Sequence, residues 1–468
     1  MPSSTPDGNT YDVTATRQRR IRGRCNIGAS SLIASFLVIF SAAIPRMFYP
    51  PDLPTFLPEQ ISQLSSGLVV VVTGANSGLG FDTVRHLVVS RTRSSTVSDD
   101  DENNQNIVDE ATPSIVVMAC RNEAKCEKAK QQILAEATTT TAAAATTSDN
   151  KTNAPNTLST KILTLQLDLL DPISIQRFAQ QLPIALNSTS STVGRDIPID
   201  ALINNAGVFT RDPSGIVYHN GTDEHILVNH LGHVRLLHHL WPKLIRDKTR
   251  IVTVSSIAAL LPITTTSDWY DTNKKSTSLL SSIWKCAIVV PSLIQRIGTG
   301  MISYGRSKRA NLVFAQELHR RYSSLGISSV ASHPGIASTE LWSKGAKIFP
   351  AAVANFLQTS LLTSHSSYDG AATQVWAAMD HEAVPSGYYV GPRWWFRGIP
   401  VLLGPLSTNN NGNHRHSGAL QPTNNDYNKI RALRVPIPHF WPFSVQEGSQ
   451  LWEQSLQALG IEEFGNEM

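Results

Sequence analysis

The sequence predicts an α/β fold with a doubly wound parallel sheet, carried on a single domain. Three observations point there. Leu68–Val72 and Ile115–Ala119 are short apolar runs without the alternation of a half-solvated strand, so they fit strands covered on both faces. A helical pattern (Phe81, Val84, Leu87, Val88) follows the first run, the strand–helix alternation that builds parallel sheets. A glycine-rich stretch joins that strand directly to that helix. The 468 residues would allow about three ordinary domains. At 41% apolar residues and a net charge of +4, wholesale disorder is excluded. The near balance of 40 basic and 36 acidic residues leaves no basis for nucleic-acid binding. Four cysteines (Cys25, Cys120, Cys126, Cys286) cannot make a disulfide scaffold and show no zinc-site pairing, so no metal is expected.

Residues 1–26 read as a polar and basic tail that ends in Arg17, Arg19, Arg20, Arg22 and Arg24. Ile27 to Ile44 is uncharged and just reaches the roughly 18 residues a membrane span needs. It reads as a single-pass signal anchor, which places the protein at a membrane, the endoplasmic reticulum being the expected one. A cleavable signal peptide ending near Ser41-Ala42-Ala43, or a helix that does not span, are the alternatives. The arginine cluster favours a cytosolic N-terminus. The sequons at Asn150, Asn187 and Asn220 would then be open to glycosylation.

After the first strand come Thr73-Gly74-Ala75-Asn76-Ser77-Gly78-Leu79-Gly80. Gly74 permits a tight turn, Gly78 lets the backbone approach a pyrophosphate, and Gly80 lets helix pack closely on strand. Because strand, loop and helix occur in that order, the loop reads as a dinucleotide site rather than a mere turn. The second strand ends in Cys120-Arg121-Asn122. An acidic residue there would favour NAD; Arg121 instead suits a 2′-phosphate, so NADP(H) is the expected cofactor. The bland alternative is that Arg121 is merely solvated.

Further motifs follow in order: Leu167-Asp168-Leu169, Asn204-Asn205-Ala206-Gly207, Asn229-His230-Leu231-Gly232-His233, Ile251–Ser256, Tyr304-Gly305-Arg306-Ser307-Lys308, and His333-Pro334-Gly335 with Thr339-Glu340-Leu341. Together with the glycine loop this string resembles the short-chain dehydrogenase/reductase family over about residues 67–345. Its retinol-dehydrogenase-like members are also similar to Trp452–Ile461. The resemblance implies a Rossmann fold from residue 67 to 468. It gives Asp168 an adenine contact and makes Asn229, Ser256, Tyr304 and Lys308 the catalytic set. It places the cofactor against Thr73, Gly74, Asn76, Ser77, Gly78, Leu79, Gly80, Asn205, Ala206, Gly207, Tyr304, Lys308, Pro334, Gly335 and Thr339.

The residue types suit carbonyl reduction. Tyr304 and Lys308 are four apart and share a helix face. A free tyrosine titrates near pH 10, and a neighbouring ammonium would lower that value towards neutrality. Ser256 would hold the substrate oxygen, and Asn229, on the resemblance, holds a water that links Lys308 to solvent. His230 and His233 have metal-like spacing but read as structural helix residues. The expected substrate is a lipophilic alcohol or carbonyl: retinoid-, steroid- or fatty-aldehyde-like. The rivals are a carbon–carbon double-bond reductase resembling protochlorophyllide reductases, and a non-enzymatic cofactor-sensing scaffold. A homodimer is compatible with the sequence.

Ser256 and Tyr304 stand 48 positions apart, far more than the family commonly has. Residues 259–300 therefore read as an insertion beside the cleft, either an apolar lid or a segment packed on the body. Residues 91–113, the Thr/Ala-rich 136–160 and the Asn-rich 406–427 read as flexible surface insertions, the threonine run at 138–141 arguing against a helix. The aromatic group Tyr388-Tyr389 with Trp394-Trp395-Phe396 could line an apolar pocket, sit at a membrane interface or simply pack.

Overall fold

The run from Val69 to Thr73 is buried at every position and forms strand β1 near the middle of an eight-stranded sheet. The computed structural model describes residues 68–94, 114–146, 160–189, 196–209, 218–219, 222–260, 269, 292–335, 337–338, 365–392, 400–405 and 444–464. Contacts divide the chain into residues 1–52 with 273–296, and residues 53–272 with 297–468. In the first unit the described residues are 292–296, the opening of one helix; the sheet and its covering helices belong to the second.

After β1 come α1 (Gly78–Ser94), β2 (Ser114–Cys120), α2 (Glu123–Thr146), β3 (Thr160–Gln166), α3 (Pro172–Asn187) and β4 (Ala201–Asn204). The chain continues through α4 (Gly232–Asp247), β5 (Arg250–Val254), α5 (Ser292–Tyr322), β6 (Ser328–Ser332), α6 (Ser367–Met379), β7 (Tyr388–Pro392), β8 (Pro400–Pro405) and α7 (Val445–Leu459). The strand order is β8-β7-β6-β5-β4-β1-β2-β3, parallel throughout except where β8 runs antiparallel to β7. The chain winds one way from β1 to β3 and the other way from β4 onward. A crevice therefore opens at the carboxyl ends of β1 and β4, where ligands of such sheets bind. This is the expected Rossmann-like α/β fold.

Strand residues alternate between two cores. Val69, Val71, Ile115, Val117 and Leu202 face one side with Phe178 of α3, Trp241 of α4 and Val313 of α5. Val70, Val72, Val116, Met118 and Ile203 face the other with Leu87 of α1, Ile133 of α2 and Val375 of α6. Both faces are covered, which is why the strands lack a polar face.

Several expectations about insertions need correction. The Thr/Ala tract is not a loop up to residue 160: α2 is helical through Thr146 and β3 begins at Thr160. Cys126, Ala129, Ile133 and Ala137 bury one face of α2, and the hydroxyls of Thr138, Thr139 and Thr140 donate to carbonyls four residues back. Packing outweighs the modest helix penalty of threonine. The 259–300 segment is not wholly additional either. Ala259 and Trp269 are fully buried in the core, the Trp269 backbone N–H donates to Gln454 Oε1 of α7 at 3.0 Å, and residues 292–300 open α5. Residues 91–94 close α1. Residues 95–113, 147–159 and 190–195 lie outside the described residues.

Cys120 and Cys126, partnerless by the sequence reading, form a disulfide. The turn from β2 into α2 brings them face to face. The anchor at 27–44, the sequons at Asn150 and Asn220, residues 406–427, and Trp394-Trp395-Phe396 lie outside the described residues. Among the described residues no helix is long and apolar enough to cross a membrane. Tyr389 packs in the core beside β6 instead of lining an open pocket.

Candidate active site

The glycine loop leaves β1 at Thr73. Gly74 (φ +67°) and Gly78 (φ +54°) adopt the left-handed region that side chains avoid. At Gly80 the constraint is contact: a Cβ there would lie 2.3 Å from the Gly74 carbonyl oxygen and 2.6 Å from Asn205 Nδ2. The Gly74 N–H donates to Ala119 O of β2 at 2.7 Å, fixing the loop to the neighbouring strand. Such a turn aims backbone N–H groups and a helix N-terminus at one point, a cradle for phosphate. Asn76, Ser77 and Leu79 lie on this loop, Ser77 exposed and the other two half-buried.

The Asn204–Gly207 motif closes the other side of the crevice. Asn205 Nδ2 donates to Thr73 O at 2.8 Å, and the backbone N–H groups of Asn205 and Ala206 both donate to Thr73 Oγ1 at 3.0 Å. Gly207 comes so near the catalytic candidates that a Cβ on it would stand 3.2 Å from Asn229 Oδ1 and 3.3 Å from Lys308 Nζ. Arg121 is exposed at the end of β2. Asp168, after β3, accepts from the Leu170 N–H at 3.0 Å. Pro334 is buried and Gly335 is left-handed (φ +75°), while Thr339 lies outside the described residues.

Asn229 sits in a π-helical turn, Leu227–Leu231, ahead of α4. Its amide brackets one residue, accepting from Val208 N at 2.7 Å and donating to Val208 O at 3.1 Å, and also donates to Ser307 Oγ at 2.9 Å. Tyr304 and Lys308 stand on α5, with Lys308 Nζ 5.9 Å from the Tyr304 ring centroid. Lys308 Nζ and Asn311 Nδ2 both donate to Val254 O, at 3.0 and 3.1 Å. Ser255 Oγ donates to Lys308 O at 2.7 Å, tying the end of β5 to α5. Ser256, next along, is hydrogen-bonded to the Tyr304 side chain. The structure thus gathers Asn229, Ser256, Tyr304 and Lys308, distant in sequence, around the end of β5.

The electrostatics differ from the sequence expectation. Burial pushes the Tyr304 hydroxyl up to about 12, its Ser256 hydrogen bond only partly opposing this. Burial also brings the Lys308 ammonium down to about 8. The expected lowering of Tyr304 by Lys308 is not what this geometry yields: desolvation of the phenol outweighs a cation aimed at a carbonyl.

Sequence reasoning missed the walls of this site. Phe209 lies 4.9 Å from the Tyr304 ring, and His225 6.3 Å from it, edge-on. His225 is paired through Nδ1 with Asp223 at 2.7 Å. Phe209 comes two positions after the Asn-Asn-Ala-Gly motif, a hint that a motif-only reading passes over. Ser307, inside Tyr-x-x-x-Lys, carried no signal of its link to Asn229. His230 bonds Ser455 of α7 and packs on Phe314, a structural role as expected. Among the described residues no group of His, Cys, Asp and Glu could hold a metal ion.

A family model described as "short chain dehydrogenase" matches residues 130–289. The human WW domain-containing oxidoreductase is 29% identical over 271 residues, 58% of this chain and 49% of that protein. Mouse retinol dehydrogenase 12 is 28% identical over 313 residues, covering 66% and 73% of the two chains. The match thus spans about half the length of the WW domain-containing relatives. Among solved structures, levodione reductase aligns with a TM-score of 0.45 at 15% identity, over 70% of this chain and 96% of that one.

Proposed function

We propose, from the premise that the chain belongs to the short-chain dehydrogenase/reductase family and is similar to its retinol dehydrogenases, that it interconverts a lipophilic alcohol and its carbonyl with NADP(H). The observation that carries this reading is the meeting of Ser256, Tyr304 and Lys308 beside the glycine loop and Gly207. The residues present fit a dinucleotide: Gly80 leaves open the space a Cβ would fill against the Gly74 carbonyl, and Thr73, Asn205 and Ala206 hold the loop rigid. Gly74 to Gly80 would hold the pyrophosphate, Arg121 a 2′-phosphate and Asp168 the adenine end. When bound, the nicotinamide supplies the hydride.

Tyr304 is protonated at neutral pH, since burial raises it to about 12, so it is poised to donate its proton to a carbonyl oxygen in the reducing direction. Ser256 shares a hydrogen bond with Tyr304 and can hold the same oxygen as charge grows on it. Lys308, anchored on Val254 O, places its cation on the tyrosine side of the cleft. Phe209 gives the cleft an apolar wall suited to a retinoid, steroid or long-chain aldehyde. The uncharged segment 27–44 would hold such an enzyme at a membrane where these substrates partition.

The test is NADPH consumption against retinal, steroid ketones and long-chain aldehydes. Turnover of at least one, lost by more than about a thousandfold in Tyr304→Phe with NADPH binding retained, supports the reading; unchanged turnover in that variant would sink it. Arg121→Asp should move preference from NADPH towards NADH by about tenfold or more, as expected for removing one charge-assisted phosphate contact.

A further inference from the structure

Between the glycine loop and the catalytic helix runs an unbroken line of buried polar groups whose hydrogen-bond directions are forced. His233, on the first turn of α4, has its Nδ1 3.2 Å from the backbone oxygen of Asn229 and its Nε2 3.0 Å from Thr73 Oγ1. A carbonyl only accepts, so the imidazole proton is on Nδ1 and Nε2 is the acceptor. Thr73 must therefore donate to His233. Its oxygen is left to accept from the Asn205 and Ala206 N–H groups, and Ile203 O, at 3.3 Å, is the poorer alternative for the hydroxyl proton. Beyond His233, the Asn229 amide donates to Ser307 Oγ at 2.9 Å, and Ser307 donates to Tyr304 O at 2.7 Å. Thr73, His233, Asn229 and Ser307 are all buried.

We propose that His233 is a positioning residue that joins the end of β1, from which the glycine loop springs, to the turn that holds Asn229, so that cofactor seating and the placement of Tyr304 are set together. This rests on the proposed function, since positioning has meaning only for a bound dinucleotide and a working Tyr304. The link is specific to a neutral imidazole in one tautomer. A protonated ring would have no acceptor for the Thr73 hydroxyl, and the opposite tautomer would set two acceptors against each other at Asn229 O. Burial, with Lys308 and His230 as neighbouring cations or cation-formers, pushes His233 down to about 3, so the neutral form persists at any pH where the enzyme would work. A histidine serving only to fill space would not need both nitrogens engaged by groups on either side of the cofactor crevice.

The experiment is a double-mutant cycle on the full-length chain, with His233→Phe, Thr73→Val and the pair, reading kcat and substrate KM for the best carbonyl found and the dissociation constants of NADPH. Each single change should lower kcat about tenfold, the effect of one lost buried hydrogen bond, with substrate KM moved less than about twofold. The pair should be no worse than the poorer single change, and Thr73→Ser should keep most of the wild-type kcat. Losses that multiply, or a His233→Phe enzyme with wild-type kcat, would overturn the proposal. Where His233→Phe loses its cooperative melt, His233→Gln takes its place in the cycle and is judged by the same non-additivity. The NADPH cycle needs no substrate. Coupling there without turnover on any carbonyl would retire the proposed function and leave the link standing; additive binding losses in an active enzyme would do the reverse.

Discussion

At the scale of single residues, the site depends on atoms that are absent as much as on those present. Gly207 has no side chain because Asn229 Oδ1 and Lys308 Nζ occupy the space beside it. Gly207→Ala should therefore push Lys308 from Val254 O and cut kcat about tenfold or more, while thermal stability falls by only about 1 kcal/mol; steady-state kinetics beside a melting curve checks both. The catalytic candidates were legible in sequence because each lies in a short string whose chemistry is local: a Tyr and a Lys one helical turn apart, a Ser at a strand end. What surrounds them was not. Phe209 and His225 reach Tyr304 across long sequence separations, and no periodicity announces such a contact. The raised titration of Tyr304 was likewise hidden, since spacing shows that Lys308 is near but not that burial outweighs it.

Secondary-structure elements tell a complementary story. β1 and the loop into α1 are dictated by the sequence nearly residue by residue, because five buried positions and two left-handed glycines leave one solution. α2 is not. Its threonines argue for a loop on propensity, yet the buried face of Cys126, Ala129, Ile133 and Ala137 carries the helix into the tract. A simple measurement separates the two readings. Thr139 is exposed and helical, so Thr139→Ala should exceed Thr139→Gly in stability by about 1 kcal/mol in urea unfolding; equal stabilities would mean a loop. The Cys120–Cys126 disulfide was missed for a similar reason. A spacing of six means nothing until one knows that a strand ends and a helix begins between the two residues.

For the molecule as a whole, buried histidines, His86, His230 and His233 among them, weigh on how it responds to acid. Burial holds His86 and His230 down to about 4 and His233 to about 3, against about 6.5 when unfolded. Their contribution to stability is complete above pH 6.5. It is lost as pH falls towards 4, because the unfolded chain takes up protons that the folded chain refuses. Urea midpoints should drop between pH 7 and pH 4.5, each of the three rings contributing about 2 kcal/mol. A flat profile would place these rings in contact with water. The sheet carries a second global lesson. The candidate catalytic and cofactor residues gather at the carboxyl edge, whereas β2, β3 and β4, each entered after a helix, begin at the opposite edge. The reacting groups and the entries to β2, β3 and β4 thus sit a full strand's length apart, so a sequence change at those entries leaves the chemistry where it is.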